Sequence, residues 1–82
     1  MHMRVFITGG AGFIGSALIR LMIAENRWRV VNIDKLTYAG NLESLASVAD
    51  HPNYVFTQTD ITDRLALDML FERYRPVGVI HL

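Results

Sequence analysis

Val5-Phe6-Ile7-Thr8-Gly9-Gly10-Ala11-Gly12-Phe13-Ile14-Gly15-Ser16 is the stretch around which the rest of the chain is organised. A β-branched and aromatic run feeds a turn crowded with glycine, and an apolar series at helical spacing follows. Strand, tight loop and helix start therefore occupy consecutive positions. Gly10, Gly12 and Gly15 spell G-x-G-x-x-G. The first glycine is expected to make the turn, the second to let backbone approach a pyrophosphate, and the third to let the helix pack closely on the strand. Unpaired N–H groups at the helix start, with the positive end of its dipole, favour an anion above the loop without help from a lysine. A P-loop would place Lys and then Ser/Thr after Gly15, and Ser16 stands where that lysine belongs. The bland alternative is a strand-to-helix turn that binds nothing, and the features downstream weigh against it.

Phe13, Ile14, Ala17, Leu18, Leu21 and Met22 recur at three- and four-residue intervals, with Ser16, Arg20 and Glu25 between them. This predicts one amphipathic helix that ends near Asn26 and Arg27. Arg29–Asp34 reads as a buried strand finishing in an acid. Asp34 lies 22 positions after Gly12, the spacing that brings the carboxyl end of a second strand beside the first loop of a dinucleotide fold. Taken alone, Asp34 reads equally well as a strand-end acid capping a turn. Beside the glycine loop, its carboxylate is expected to accept hydrogen bonds from both adenosine ribose hydroxyls. It would also repel a 2′-phosphate, which favours NAD over NADP, whereas Lys35 pulls the other way as a cation able to contact a phosphate.

Lys35–Asn41 has no period and reads as a loop, followed by a short helix from Asn41 or Ser44 with Leu42, Leu45, Ala46 and Ala49 on its apolar side. Asp50–Asn53 is a break, with His51 a solvated turn residue. Tyr54–Thr59 alternates as a third strand and runs into Asp60-Ile61. Thr62 or Asp63 caps a helix whose face is Leu67, Leu70, Phe71 and Tyr74, with Met69 at its edge, and Pro76 closes it. Val77–Leu82 is a fourth strand, nearly all apolar, in which His81 reads as a satisfied or exposed residue rather than one facing a ligand.

Four strands alternating with three helices through right-handed crossovers give an α/β fold, a Rossmann-like parallel sheet of order 3-2-1-4. Its ligand edge is expected to hold Gly10, Gly12, Asp34, Asp60 and Leu82. In a complete doubly wound sheet the fourth strand is interior, so a sheet stopping at Leu82 leaves an unpaired edge. Residues 1–82 are thus expected to be the N-terminal half of an NAD(P)-binding domain, truncated after the fourth strand and without a substrate domain.

With 82 residues there is room for one small domain, and 51% hydrophobic against 20% charged residues is globular composition. Eight basic side chains balance eight acidic ones, which argues against a nucleic-acid or membrane-surface partner. Cysteine is absent, so neither a disulfide framework nor a thiolate metal site can form, and no metal is expected. His2 reads as a solvated terminal residue. No signal peptide or membrane anchor is expected, and the cytoplasm is the expected compartment.

Thr8–Gly15 resembles the T-G-G-x-G-F-I-G loop of the extended short-chain dehydrogenases, the family of sugar-nucleotide epimerases and dehydratases. Asp60-Ile61 is similar to that family's D-[IVL] adenine contact, with Thr59 where a glycine often stands, and His81-Leu82 is similar to the start of its H-L-A-A segment. Asp34-Lys35-Leu36-Thr37-Tyr38-Ala39-Gly40-Asn41-Leu42 is more selective. It resembles the D-K-L-T-Y-A-G-N-L stretch of the dTDP-glucose 4,6-dehydratases and separates them from the UDP-glucose 4-epimerases. The resemblance covers essentially the whole chain and corresponds to the amino-terminal portion of that family.

The resemblance implies a bound NAD and a nucleotide-sugar substrate, dTDP-glucose, oxidised at C4, dehydrated across C5 and C6, and given hydride back at C6. It implies Gly9, Gly10, Gly12, Phe13, Ile14 and Gly15 at the pyrophosphate. Phe13 and Ile14 would serve through backbone N–H while their side chains work on the helix face. Asp34 and Lys35 would meet the adenosine ribose, Leu36, Thr37, Ala39 and Gly40 would frame the adenosine end, and Asp60 with Ile61 would meet the adenine, with Leu82 on the same edge. The family's Y-x-x-x-K pair, active-site Thr and Asp-Glu pair correspond to positions beyond Leu82. None of Tyr38, Tyr54 and Tyr74 has a lysine four residues later, so no catalytic residue is assigned. The 82-residue chain alone is expected to show no turnover and weak NAD affinity at best. Two other readings stand beside this one: an NAD-dependent sugar-nucleotide epimerase, and a nucleotide-binding or oligomerising module without catalysis. A homo-oligomer is expected, since open strand edges can pair.

Overall fold

Met3–Thr8 forms strand β1 and Trp28–Asp34 forms β2; the computed structural model describes residues 3–36 and 42–82, the Leu42 side chain excepted. Between these strands runs helix α1, Phe13–Glu25. Strand β3 covers Tyr54–Gln58, helix α2 Arg64–Tyr74 and strand β4 Gly78–His81. All pairings are parallel and the order is β3-β2-β1-β4, as expected. The register is continuous across the sheet, with Ile7 beside both Asn32 and Ile80, and Asn32 beside Phe56.

Side chains alternate across the pleat, so each strand supplies two cores. On one face Val5, Ile7, Val30 and Tyr54 pack with Ile19, Met22 and Ile23 of α1 and with Leu45 and Val48. On the other, Phe6, Val31 and Ile33 meet Leu67, Leu70 and Tyr74 of α2. The Phe6 ring also lies 4.9 Å from the Phe71 ring, tilted at 57° to it, and edge-on at 6.3 Å from Tyr74. The α2 face is thus as predicted, and Asp63 is its cap, accepting a hydrogen bond from Ala66 N–H at 3.1 Å.

Two expectations are corrected. The buried face of α1 is Gly15, Ser16, Ile19, Met22 and Ile23, while Phe13, Ile14 and Leu21 are exposed. Apolar residues run almost all round this helix, so its pattern leaves the rotation open; Gly15, which must lie against the loop, sets it. Ser16 is buried without penalty because its hydroxyl donates to the Phe13 carbonyl at 3.1 Å. Second, the short helix is a 3₁₀ turn, Leu42–Leu45, extended by i→i+3 hydrogen bonds from Ala46, Val48 and Ala49. Its repeat of three buries Leu45 and Val48 and leaves Ala46 and Ala49 exposed. The helix start at Asn41 lies outside the described residues, as does His2. Strand β4, apolar in sequence, is not buried: Val79 within it and Val77 just before it are exposed. Among the described residues β4 pairs with β1 alone, so only one flank of it is covered.

No helix among the described residues is long and apolar enough to cross a membrane.

Candidate functional site: a glycine loop and the carboxyl edge of the sheet

The loop from β1 to α1 turns at Gly9, whose φ of 74° lies in the left-handed region that favours glycine. The turn residue is therefore Gly9 and not Gly10, as the motif alone predicts. Gly10 is required for space: a Cβ there would fall on Asn32 Oδ1 and lie 2.6 Å from Ile19 Cδ1. At Gly15 a Cβ would lie 2.5 Å from the Gly9 carbonyl oxygen and 2.8 Å from Gly10 Cα, which is the close helix approach that the motif implies. Gly12 caps α1 with extended backbone and no side-chain hydrogen bond. The first N–H groups of the helix consequently have no side-chain cap to satisfy them, as an anion-binding helix start requires. Phe13 and Ile14 stand at this start with side chains 91% and 72% exposed. The expected helix-face role of those side chains is not observed, and what they bring to the loop is backbone.

Asp34 ends β2 on the same rim. Its carboxylate accepts from Ala11 N–H at 2.9 Å and from Leu36 N–H at 2.8 Å, and it is 3% exposed. One side chain therefore ties the second strand to the glycine loop across the crossover. Leu36 follows with φ 59°, a left-handed conformation that this N–H···carboxylate bond holds in place. The Lys35 ammonium lies 3.1 Å from Asp60 Oδ2, so its charge is engaged within the chain. Asp60 also accepts from Thr62 N–H at 2.9 Å and from the Thr62 hydroxyl at 2.7 Å. These hydrogen bonds, with the one from Lys35, hold its carboxyl at about 2, below the ordinary 3.8.

Between these groups opens a cleft of about 150 Å³ at the carboxyl ends of β1, β2, β3 and β4. Gly9, Asp34, Lys35, Asp60, Ile61 and Leu82 line it, among the expected site residues. Gly10, Gly12, Phe13, Ile14, Gly15 and Leu36 stand outside its lining, and Thr37, Ala39 and Gly40 lie outside the described residues. Thr8, Ile33, Thr59 and His81 line it without having been singled out as site residues. The signal for them was positional, since each lies at or next to the carboxyl end of a strand. Thr8 and His81 are register partners, and Thr8 Oγ1 lies 2.6 Å from His81 Nδ1. Leu82 packs onto the loop, its Cδ1 3.1 Å from where a Gly15 Cβ would sit. Asn32, also missed, is the polar exception in the Val30–Ile33 run and is fully buried, its Nδ2 donating to the Tyr54 hydroxyl at 3.1 Å. Burial pushes that hydroxyl above its ordinary value, with the Asn32 bond opposing the rise and the Asp34 charge adding to it.

A cleft of this size takes one ring of a larger ligand rather than all of it. A chain of donors from the helix start to a buried strand-end carboxylate is the layout of a dinucleotide site. The family model of GDP-mannose 4,6 dehydratase matches residues 6–82. The chain belongs to this family. Among relatives of the GDP-mannose 4,6 dehydratase family, the dTDP-glucose 4,6-dehydratase of Neisseria meningitidis serogroup B is 61% identical over 79 residues, covering 96% of this chain and 22% of the relative. The chain thus spans about a fifth of the length of that relative. The crystal structure of the Bacillus anthracis dTDP-glucose 4,6-dehydratase, in complex with NAD, superposes with a TM-score of 0.93 at 34% identity over 98% of this chain and 26% of the other. The UDP-Glc/GlcNAc 4-epimerase of Campylobacter jejuni superposes with a TM-score of 0.85 at 26% identity over 98% of this chain and 24% of the other.

Proposed function

We propose that residues 1–82 form the NAD-binding part of a dTDP-glucose 4,6-dehydratase. The observation that carries this is the Asp34 carboxylate hydrogen-bonded to Ala11 N–H, which ties the acid that would bind the ribose to the loop that would bind the diphosphate. The N–H groups of Phe13, Ile14 and Gly15 at the start of α1 would neutralise the diphosphate without a lysine. The buried Asp34 carboxylate would accept the adenosine ribose hydroxyls and repel a 2′-phosphate. Lys35 supports the choice of NAD, because its ion pair with Asp60 turns it away from a phosphate contact. Asp60 and Ile61 would meet the adenine and Leu82 the edge of the cleft, with Thr37, Ala39 and Gly40 framing the adenosine end.

When bound, NAD supplies reversible hydride acceptance from the sugar. This chain's residues bind and orient it; none of them is assigned to the proton transfers. The 61% identity to a dTDP-glucose 4,6-dehydratase, against 26–31% to epimerases of solved structure, supports dehydration over epimerisation. The homo-oligomeric state and a cytoplasmic location belong to the same reading.

Two measurements test it. In the protein as its gene encodes it, Asp34→Ala is expected to weaken NAD binding by about tenfold or more, as loss of a charged hydrogen-bond acceptor does. Unchanged affinity rejects the ribose assignment. With dTDP-glucose and UDP-galactose offered separately, a 4-keto-6-deoxy sugar is expected from the former alone, and interconversion of UDP-galactose with UDP-glucose would support the epimerase reading instead.

A further inference from the structure

Strand β2 holds the glycine loop through three consecutive residues. The Ile33 carbonyl accepts from Gly9 N–H at 3.0 Å, and the Asp34 carboxylate accepts from Ala11 N–H at 2.9 Å. Between these anchors the Asn32 carboxamide lies against Gly10, so that a Cβ at position 10 would overlap its Oδ1 and come within 2.6 Å of its Cγ. Asn32 is 0% exposed on the α1 face of the sheet, in a layer otherwise built from Ile7, Ile19, Val30 and their neighbours. Its Nδ2 is braced on the Tyr54 hydroxyl. Its Oδ1 has no N–H or O–H donor among the described residues.

A buried amide oxygen without a donor is disfavoured, and leucine, of nearly the same shape, would fill this strand position at no such cost. What faces Oδ1 is the Gly10 α-hydrogen that stands where a Cβ would be, a Cα–H···O contact. Asn32 and Gly10 thus fit each other: the carbonyl occupies the volume that the missing side chain leaves. We propose that Asn32 is a positioning residue for the phosphate-binding loop, its Tyr54-braced carbonyl setting how far Gly10 sinks toward the sheet between the Gly9 and Ala11 anchors. The inference rests on the reading that this loop carries the NAD diphosphate.

The test compares NAD dissociation constants of the gene-encoded protein with those of Asn32→Leu, of the double variant Asn32→Leu with Tyr54→Phe, and of Asp34→Ala. The melting temperature of each cofactor-free form is read in parallel. Asn32→Leu is expected to weaken NAD about ten- to a hundredfold, the scale of an ångström's misplacement, with no fall in melting temperature. The double variant removes both halves of the polar pair, is expected to show the same loss, and stands in should the single variant not fold. Wild-type affinity in either variant overturns the proposal, as does a loss that appears only with a matching fall in melting temperature, which is what a purely structural asparagine would give. If Asp34→Ala loses NAD while Asn32→Leu does not, the positioning role alone falls. If Asp34→Ala binds as the wild type does, the reading of the loop falls, and the inference with it.

Discussion

Asp60 shows how a single exposed carboxylate is organised by its neighbours before any ligand arrives. Thr62 supplies a backbone and a hydroxyl donor and Lys35 an ammonium, and together they hold the carboxyl at about 2 against an ordinary 3.8. A carboxyl lowered on folding stabilises the native state above its unfolded value, and that contribution is lost as pH falls from about 3.8 through about 2. Asp60→Asn keeps an acceptor for Thr62 and removes the charge. The stability advantage of wild type over Asp60→Asn, read from urea midpoints, is therefore expected to be largest above that window and to close within it. An advantage independent of pH would show that the charge does not matter here. Asp34 and Asp60 were both visible in the sequence as acids ending apolar strands. The Lys35–Asp60 pair was not, because the strand order brings the two strand ends side by side but does not say which way an exposed lysine side chain reaches.

At the scale of elements, α1 teaches the most. Its caps were legible: glycines ahead of it, and Asn26 at its end in the left-handed conformation, φ 56°. Its rotation was not, since a helix apolar on nearly every side carries no directional pattern. The close contact of Gly15 with the Gly9 carbonyl turns Ile19 inward and Phe13 outward. Ile19→Ala is accordingly expected to cost about 2–5 kcal/mol, the usual price of a cavity in a packed core, whereas Phe13→Ala should stay within about 0.5 kcal/mol. A larger loss for Phe13→Ala than for Ile19→Ala in denaturant melts would mean that the buried face is the one expected from the sequence. The 3₁₀ turn at Leu42–Leu45 makes the same point in miniature: it buries Leu45 and Val48, three apart, where an α-helical reading pairs Leu45 with Ala49.

For the molecule as a whole, β1 and β2 are flanked by strands on both sides and β4 by β1 alone among the described residues. Protection should follow that asymmetry, because local opening is easiest where few apolar contacts are broken. In the 82-residue chain, hydrogen exchange is expected to be slowest at the amides of Val5–Ile7 and Val30–Ile33 and fastest within the sheet at Gly78–His81; uniform protection would show β4 to be as firmly held as the centre. Sequence by itself determined the alternation of strand and helix, the parallel order of the sheet, the glycine loop and the acid one crossover away. Each of these follows from local spacing, turn chemistry and the handedness of crossovers, which neighbouring residues specify. Only the tertiary structure decided which glycine turns and which makes room, which face of α1 is buried, and that Asn32 lies beneath Gly10. Those outcomes depend on close approach between segments far apart in the chain, where sterics and pairing act through space and leave no period to read.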